Sequence, residues 1–142
     1  MGGGSKGYEF FEHTADVGVR AYGDTLEALF RHTAQGVVAL LVENSRIAPH
    51  ETRPIALSAS SVESLLQAWL TELLVWFDAE RFVPSAYQFD VVSETSLRGQ
   101  ISGERFDPAR HTAGVEVKGV TRHGFAVARG PQRWEATIIV DV

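Results

Sequence analysis

Val62, Leu65, Leu66, Trp69, Leu70, Leu73, Leu74 and Phe77 recur at three- and four-residue spacing, which on an α-helix places them on one face. A stripe this long and this apolar has to be covered by other elements, so it predicts a helix over about 62–80 packed into a core. Ser60 followed by Glu63 resembles a capping box at its start. A second, shorter stripe of Leu26, Leu29, Phe30, Val37, Val38 and Leu41, preceded by Asp24 and Glu27 at the same capping spacing, predicts another helix over about 25–42. Around these two helices the pattern changes to period two. Tyr8–Glu12 and Val17–Tyr22 read as strands flanking the polar run His13-Thr14-Ala15-Asp16. Pro54–Ser58 is a short strand whose proline suits an edge, and 44–50 is a turn. Ala86–Ser93, Ser96–Glu104, Gly114–Thr121, Phe125–Arg129 and Trp134–Val140 form a meander separated by Ser, Gly, Pro and Asp turns. The expected fold is a single α+β domain: a mostly antiparallel sheet of about six to eight strands with two amphipathic helices packed on one face.

The length supports one domain. A chain of 142 residues, 44% hydrophobic and 22% charged, buries roughly two-thirds of its extended surface on folding and needs no staples. It has no cysteine, which excludes a disulfide framework, a thiolate zinc site and a cysteine nucleophile. Any metal must be held by oxygen or imidazole. No apolar run approaches the roughly 20 residues that span a bilayer, and the opening MGGGSKG lacks the apolar region of a signal peptide. The expected location is the cytoplasm, with no membrane contact and residues 1–7 disordered ahead of a domain at 8–142. Oligomeric state is not legible.

Charge is uneven. The net value is -5, yet residues 1–97 carry 13 acids against 6 bases, whereas residues 98–133 carry 3 acids against 7 bases. Arg98, Arg105, Arg110, Arg122, Arg129 and Arg133 are either solvated strand and loop charges or a patch facing a polyanion. Trp69, Trp76 and Trp134 fit core packing better than base stacking, because Trp69 sits in the helical stripe and Trp134 opens a strand.

Four places could carry chemistry. His13 and Asp16 put an imidazole and a carboxylate three residues apart in a tight inter-strand turn; the alternative is local capping of backbone by Thr14 and Asp16. Asp141 follows the β-forming run Ala136–Val140 at a strand end. If the two rims meet, Asp16, Asp141, backbone carbonyls and the carboxylate of Val142 make an oxygen cage for a hard cation. Lys118, in Val117-Lys118-Gly119-Val120-Thr121-Arg122-His123, either reaches a phosphate or a partner carboxylate with His123 nearby, or guards an edge strand. His13, His32, His50, His111 and His123 show no His-x-x-x-His or Glu-x-x-His pairing. No Gly-x-Ser-x-Gly elbow, GxxxxGK[ST] loop or GxGxxG turn is present. No catalytic constellation emerges, and the chain reads as a non-enzyme.

EHTADVGVRAYG near the start, the helix segment QAWLTELL, the strand VKGVTRH and the aliphatic strand closing on Asp141 together resemble the archease family, in the right order over about Tyr8 to Val142. The resemblance implies an α+β protein that activates an RtcB-type RNA ligase, promoting the ligase's guanylylation and multiple turnover in tRNA splicing and RNA repair. RNA is engaged through the ligase. It also implies a divalent-metal site, calcium first with magnesium or manganese as alternatives, at Asp16, Asp141 and the main chain of Val142, with Lys118, His13 and His123 linked to ligase activation. Gly119 stands where the family commonly has alanine, and Arg122 replaces an aromatic. Two readings of other classes are a stand-alone metal-dependent hydrolase of nucleic acid or nucleotide, and a chaperone-like RNA-binding adaptor.

Overall fold

The computed structural model describes residues 7–13, 16–43 and 45–142. Its elements run β1 (Tyr8–His13), β2 (Asp16–Gly23), α1 (Leu26–Leu41), β3 (Val42–Glu43), β4 (Glu51–Ser58), α2 (Val62–Glu80), β5 (Phe82–Val92), β6 (Ser96–Arg105), β7 (Thr112–Ala113), β8 (Gly119–Arg129) and β9 (Trp134–Asp141). The α+β class holds, and the strand pairings are antiparallel. The strands divide into three sheets, ordered β1-β2-β9-β8, β3-β7 and β4-β6-β5. Both helices touch both larger sheets: α1 packs on β2, β1 and β9 and on β5, and α2 on β8 and on β4, β5 and β6.

Helix α2 spans the predicted 62–80 and α1 begins at Leu26, but each is capped one residue later than the capping pattern predicts. Thr25, not Asp24, caps α1 by accepting the Ala28 N–H at 3.1 Å, and Ser61, not Ser60, caps α2 by accepting the Ser64 N–H at 3.2 Å. Glu27 consequently does not reach back to the cap; it pairs forward with Arg31 at 3.3 Å, the favourable i,i+4 orientation. At its other end α2 closes on Arg81, whose φ of 60° is left-handed and whose N–H bonds the Phe77 carbonyl at 2.8 Å.

The predicted stripes face the core. Leu29, Phe30, Val37 and Leu41 of α1 and Val62, Leu65, Leu66, Trp69, Leu70 and Leu73 of α2 are buried, along with Trp76. Trp69, fully buried, donates its indole N–H to the Phe30 carbonyl at 3.0 Å and so ties the two helices together. Its ring meets Tyr87 and Phe89 of β5 edge-on at 6.1 and 5.7 Å. Leu74 and Phe77, at the stripe's margin, are half-buried.

The predicted strand Gly114–Thr121 is not one strand. Only its end, from Gly119, belongs to β8, which runs on through 125–129. The Gly114 and Val115 amides go instead to the carbonyls of Leu41 and Leu40, at 2.9 and 2.8 Å. Alternating Val115 and Val117 imitate a strand, but the main chain there is occupied by the end of α1. Pro54 lies, as expected, on an edge strand.

Candidate functional site

The four-stranded sheet puts its first two and last two strands side by side, and the register is what assembles the site. His13 stands opposite Asp16, Asp16 opposite Asp141, and Asp141 opposite Gly119, one cross-strand row over β1, β2, β9 and β8. Directly opposed residues of antiparallel strands share a face, so the Asp16 and Asp141 carboxylates leave the sheet on the same side. That side is the one away from the helices, because the intervening Val17, Val19 and Val140 face the core. The rims that sequence alone could not join are thus one rim. The side chain of His13, together with Thr14 and Ala15, lies outside the described residues.

Lys118 is anchored to the same row. Its N–H donates to the Asp141 carbonyl at 2.7 Å, extending the β8–β9 ladder by one bond. The residue itself lines a groove of about 610 Å³ between α2 and 113–120, whose walls include Leu74, Val75, Phe77, Phe106 and Val115. Among the described residues Val75 and Val115 are two of three large hydrophobic side chains that are exposed. Val142 follows Asp141 and packs against the core. His123 is exposed in a wide bulge of β8, where the register jumps from Thr121 opposite Ile139 to Ala126 opposite Thr137. Its N–H donates to Thr121 Oγ1 at 3.1 Å, and Gly124 next to it takes a left-handed φ of 80°. Bulges of this kind re-aim side chains beside functional rims.

The donor chemistry suits a hard divalent cation. Both side chains of the pair offer carboxylate oxygen, the ligand type of calcium, magnesium and manganese. Two like charges facing each other across a strand pair also destabilise it, a cost that a cation held between them removes. Among the described residues no group of three or more His, Asp or Glu gathers as a metal cluster. Further ligands would therefore be main-chain oxygens such as that of Val142, or water.

A second polar centre escaped the sequence reading. Glu104, 5% exposed, sits at the end of β6 and accepts the Ala48 N–H at 2.6 Å, His111 Nε2 at 3.1 Å and a short hydrogen bond from Arg110. His111 Nδ1 in turn accepts the Asp107 N–H at 2.9 Å, which leaves the ring proton on Nε2. Arg110 above all, then the Ala48 amide and His111, hold the Glu104 carboxyl down to about 2 against the opposing effect of burial. Sequence spacing gave no signal, because the turn at 107–110 alone brings residues 104 and 111 together.

The basic residues of the last third are spread over several elements and partners. Arg98 lies on β6 opposite Ala56, Arg105 and Arg110 are paired with Glu51, Glu80, Glu104 and Asp107, and Arg133 pairs with Glu135 while stacking 4.0 Å over Tyr22. Trp69 and Trp76 are core and Trp134 is half-buried under Arg129. Of the six arginines, Arg105, Arg110 and Arg133 are engaged in ion pairs, and the packing reading fits the tryptophans.

Compared with known proteins, residues 8–142 match the model of the archease protein family (MTH1598/TM1083). The chain belongs to the archease family. Relatives called protein archease include one from Sulfurisphaera tokodaii, 34% identical over 95% of this chain and 98% of its own length. Another, from Pyrococcus furiosus, is 36% identical over 95% and 98%. The solution structure of Methanobacterium thermoautotrophicum protein 1598 superposes with a TM-score of 0.80 at 31% identity, over 96% of this chain and 99% of that one. The crystal structure of a Thermotoga maritima archease, described as a possible chaperone, shares the fold with a TM-score of 0.64 at 16% identity, over 93% and 94%. Membership of the archease family therefore extends over both ends of the Asp16–Asp141 row. No helix among the described residues is long and apolar enough to cross a membrane.

Proposed function

We propose that this archease-family chain activates an RtcB-type RNA ligase in the cytoplasm, promoting the ligase's guanylylation and multiple turnover in tRNA splicing and RNA repair, and that it makes no covalent change to RNA itself. The observation that carries this reading is the register of β2, β9 and β8, which sets Asp16 opposite Asp141 and bonds Lys118 to Asp141 in a chain of this family. Asp16, Asp141 and the main chain of Val142 are the residues that would hold a divalent cation, with calcium the first choice. When bound, such a cation neutralises phosphate charge and supports in-line phosphoryl transfer.

The chain's own residues have separable tasks. The two carboxylates present a compact negative rim to the ligase. Lys118 supplies a point charge on a flexible stem, suited to a phosphate or an acidic ligase residue, and its amide fixes where that stem starts. His123, in the adjacent bulge, and His13, in the row by register, complete the ligase-facing set.

The test is GTP-dependent guanylylation and multiple-turnover RNA joining by the cognate ligase, with and without this protein. Wild type should stimulate both, and Asp16→Ala, Asp141→Ala and Lys118→Ala should lose stimulation while remaining folded. A folded wild type that stimulates neither step refutes the reading; metal-dependent RNA cleavage without ligase would then favour the hydrolase alternative, and salt-sensitive RNA binding the adaptor.

A further inference from the structure

One row below the carboxylate pair, on the same face, Gly18 of β2 stands opposite Ile139 of β9, with Phe11 of β1 opposite Gly18 on the other side. Over β1, β2 and β9 this row is apolar, and it is packed. The Phe11 ring lies directly over Gly18, so that even a methyl group there would overlap it; this is the arrangement in which an aromatic covers a strand glycine across a strand pair. Ile139 faces away from the helices and stands outside the main core cluster, yet it is only 2% exposed. Its register partner on β8 is Thr121, where the bulge begins, and a Cβ on Gly124 in that bulge would sit 3.2 Å from Ile139 Cγ1. The Arg20 guanidinium stacks 4.6 Å over the far side of this floor, on the Phe11 ring.

Along β9 this face carries Glu135, Thr137, Ile139 and Asp141, of which Ile139 alone is buried. The burial is local to the row next to Asp16 and Asp141, where Phe11 covers Gly18 and the Gly124 bulge closes on Ile139. Excluding water beside a charged group lowers the local dielectric, so the attraction between carboxylate and cation is less screened there. A hydrophobic shell of this kind controls solvent access and dielectric at metal sites without supplying a ligand.

We infer that Phe11, Gly18, Ile139 and the Gly124 bulge form a water-excluding floor that sets the divalent-cation affinity of the Asp16–Asp141 pair. They are positioning residues. The inference rests on the reading of that pair as a cation site.

The experiment titrates calcium chloride and manganese chloride into the metal-free full chain by isothermal titration calorimetry, well below the melting temperature of every protein used. Wild type is compared with Phe11→Ala, Phe11→Leu and Gly18→Ala. Phe11→Ala opens the floor and should weaken binding about tenfold, the usual size of an effect from outside the ligand shell. Phe11→Leu keeps apolar cover and should restore most of the affinity. Gly18→Ala, which must displace the ring from the opposite strand, should weaken binding as Phe11→Ala does, and it serves in its place if that variant fails to fold. A purely structural floor would lower the metal-free melting temperature and leave the dissociation constant of the folded protein unchanged; that result overturns the inference. Absence of binding by folded wild type overturns the cation-site reading on which the inference stands.

Discussion

His111 gives its Nε2 proton to Glu104 across 3.1 Å because its Nδ1 is already taken by the Asp107 N–H. The dyad is an anchor for three chain segments, since the same carboxylate accepts from Ala48 and Arg110. Nothing about it requires exchange of a proton with solvent.

Its contribution to stability has a definite pH range. The Glu104 carboxyl, held down to about 2 chiefly by Arg110, is lower in the folded than in the unfolded chain, where glutamate titrates at about 4.3. The folded state is therefore favoured wherever the carboxylate is ionised in both states, above about pH 4.5, and that advantage is lost as pH falls toward 2. Glu104→Ala should cost about 2 kcal/mol at pH 7 by orphaning the Ala48 N–H and the His111 ring N–H. Urea unfolding at pH 7, 4 and 3 should show the wild-type advantage shrinking as the pH drops.

Asp141→Asn tests the opposed carboxylates from the stability side. Removing one of two like charges from a cross-strand pair should leave the metal-free protein as stable as wild type or more so, by about 0.5 kcal/mol. Calcium should raise the melting temperature of wild type by mass action on the folded state, and should leave Asp141→Asn unmoved. Differential scanning calorimetry with and without chelator reads both effects.

Trp69→Phe should destabilise the fold by about 2 kcal/mol. The variant loses the indole bond to the Phe30 carbonyl that ties α2 to α1 and leaves space against Tyr87 and Phe89. Guanidinium unfolding measures the difference.

Arg81→Gly should be neutral or stabilising by up to about 1 kcal/mol, because a left-handed C-terminal residue costs glycine no Cβ strain. Against that gain stands the loss of the guanidinium packed 5.0 Å over Phe77. A fall of more than about 1 kcal/mol in thermal unfolding would mean that the stacking outweighs the strain.

The parts of the fold that depend on local periodicity are readable in the sequence, and the parts that depend on which strands meet are not. The stripes of Leu26–Leu41 and Val62–Phe77 place both helices to within a residue, and the caps fall one residue later than the capping spacing suggests, at Thr25 and Ser61. Val42–Glu43 and Thr112–Ala113 are too short to carry a period. Val115 and Val117 carry one and are not a strand, since the Val115 amide is claimed by Leu40. Asp16 and Asp141 each stand out as isolated acids at strand ends, and their pairing is fixed only by the alignment of β2 with β9. Phe11 and Gly18 look like unremarkable strand residues until that same alignment sets Ile139 beside them.

In the four-stranded sheet β9, which follows the other described elements in the chain, is an inner strand, held between β2 and β8. While the chain is being synthesised, β2 waits with an open edge through the appearance of both helices and the whole β4-β6-β5 sheet. Such long-range closure is entropically expensive and slow, and an open edge in the meantime invites pairing with the wrong chain. It also means that Asp16 has Asp141 opposite it only once β9 has docked on β2. Whatever the pair does therefore depends on a closure between strands from opposite ends of the described fold.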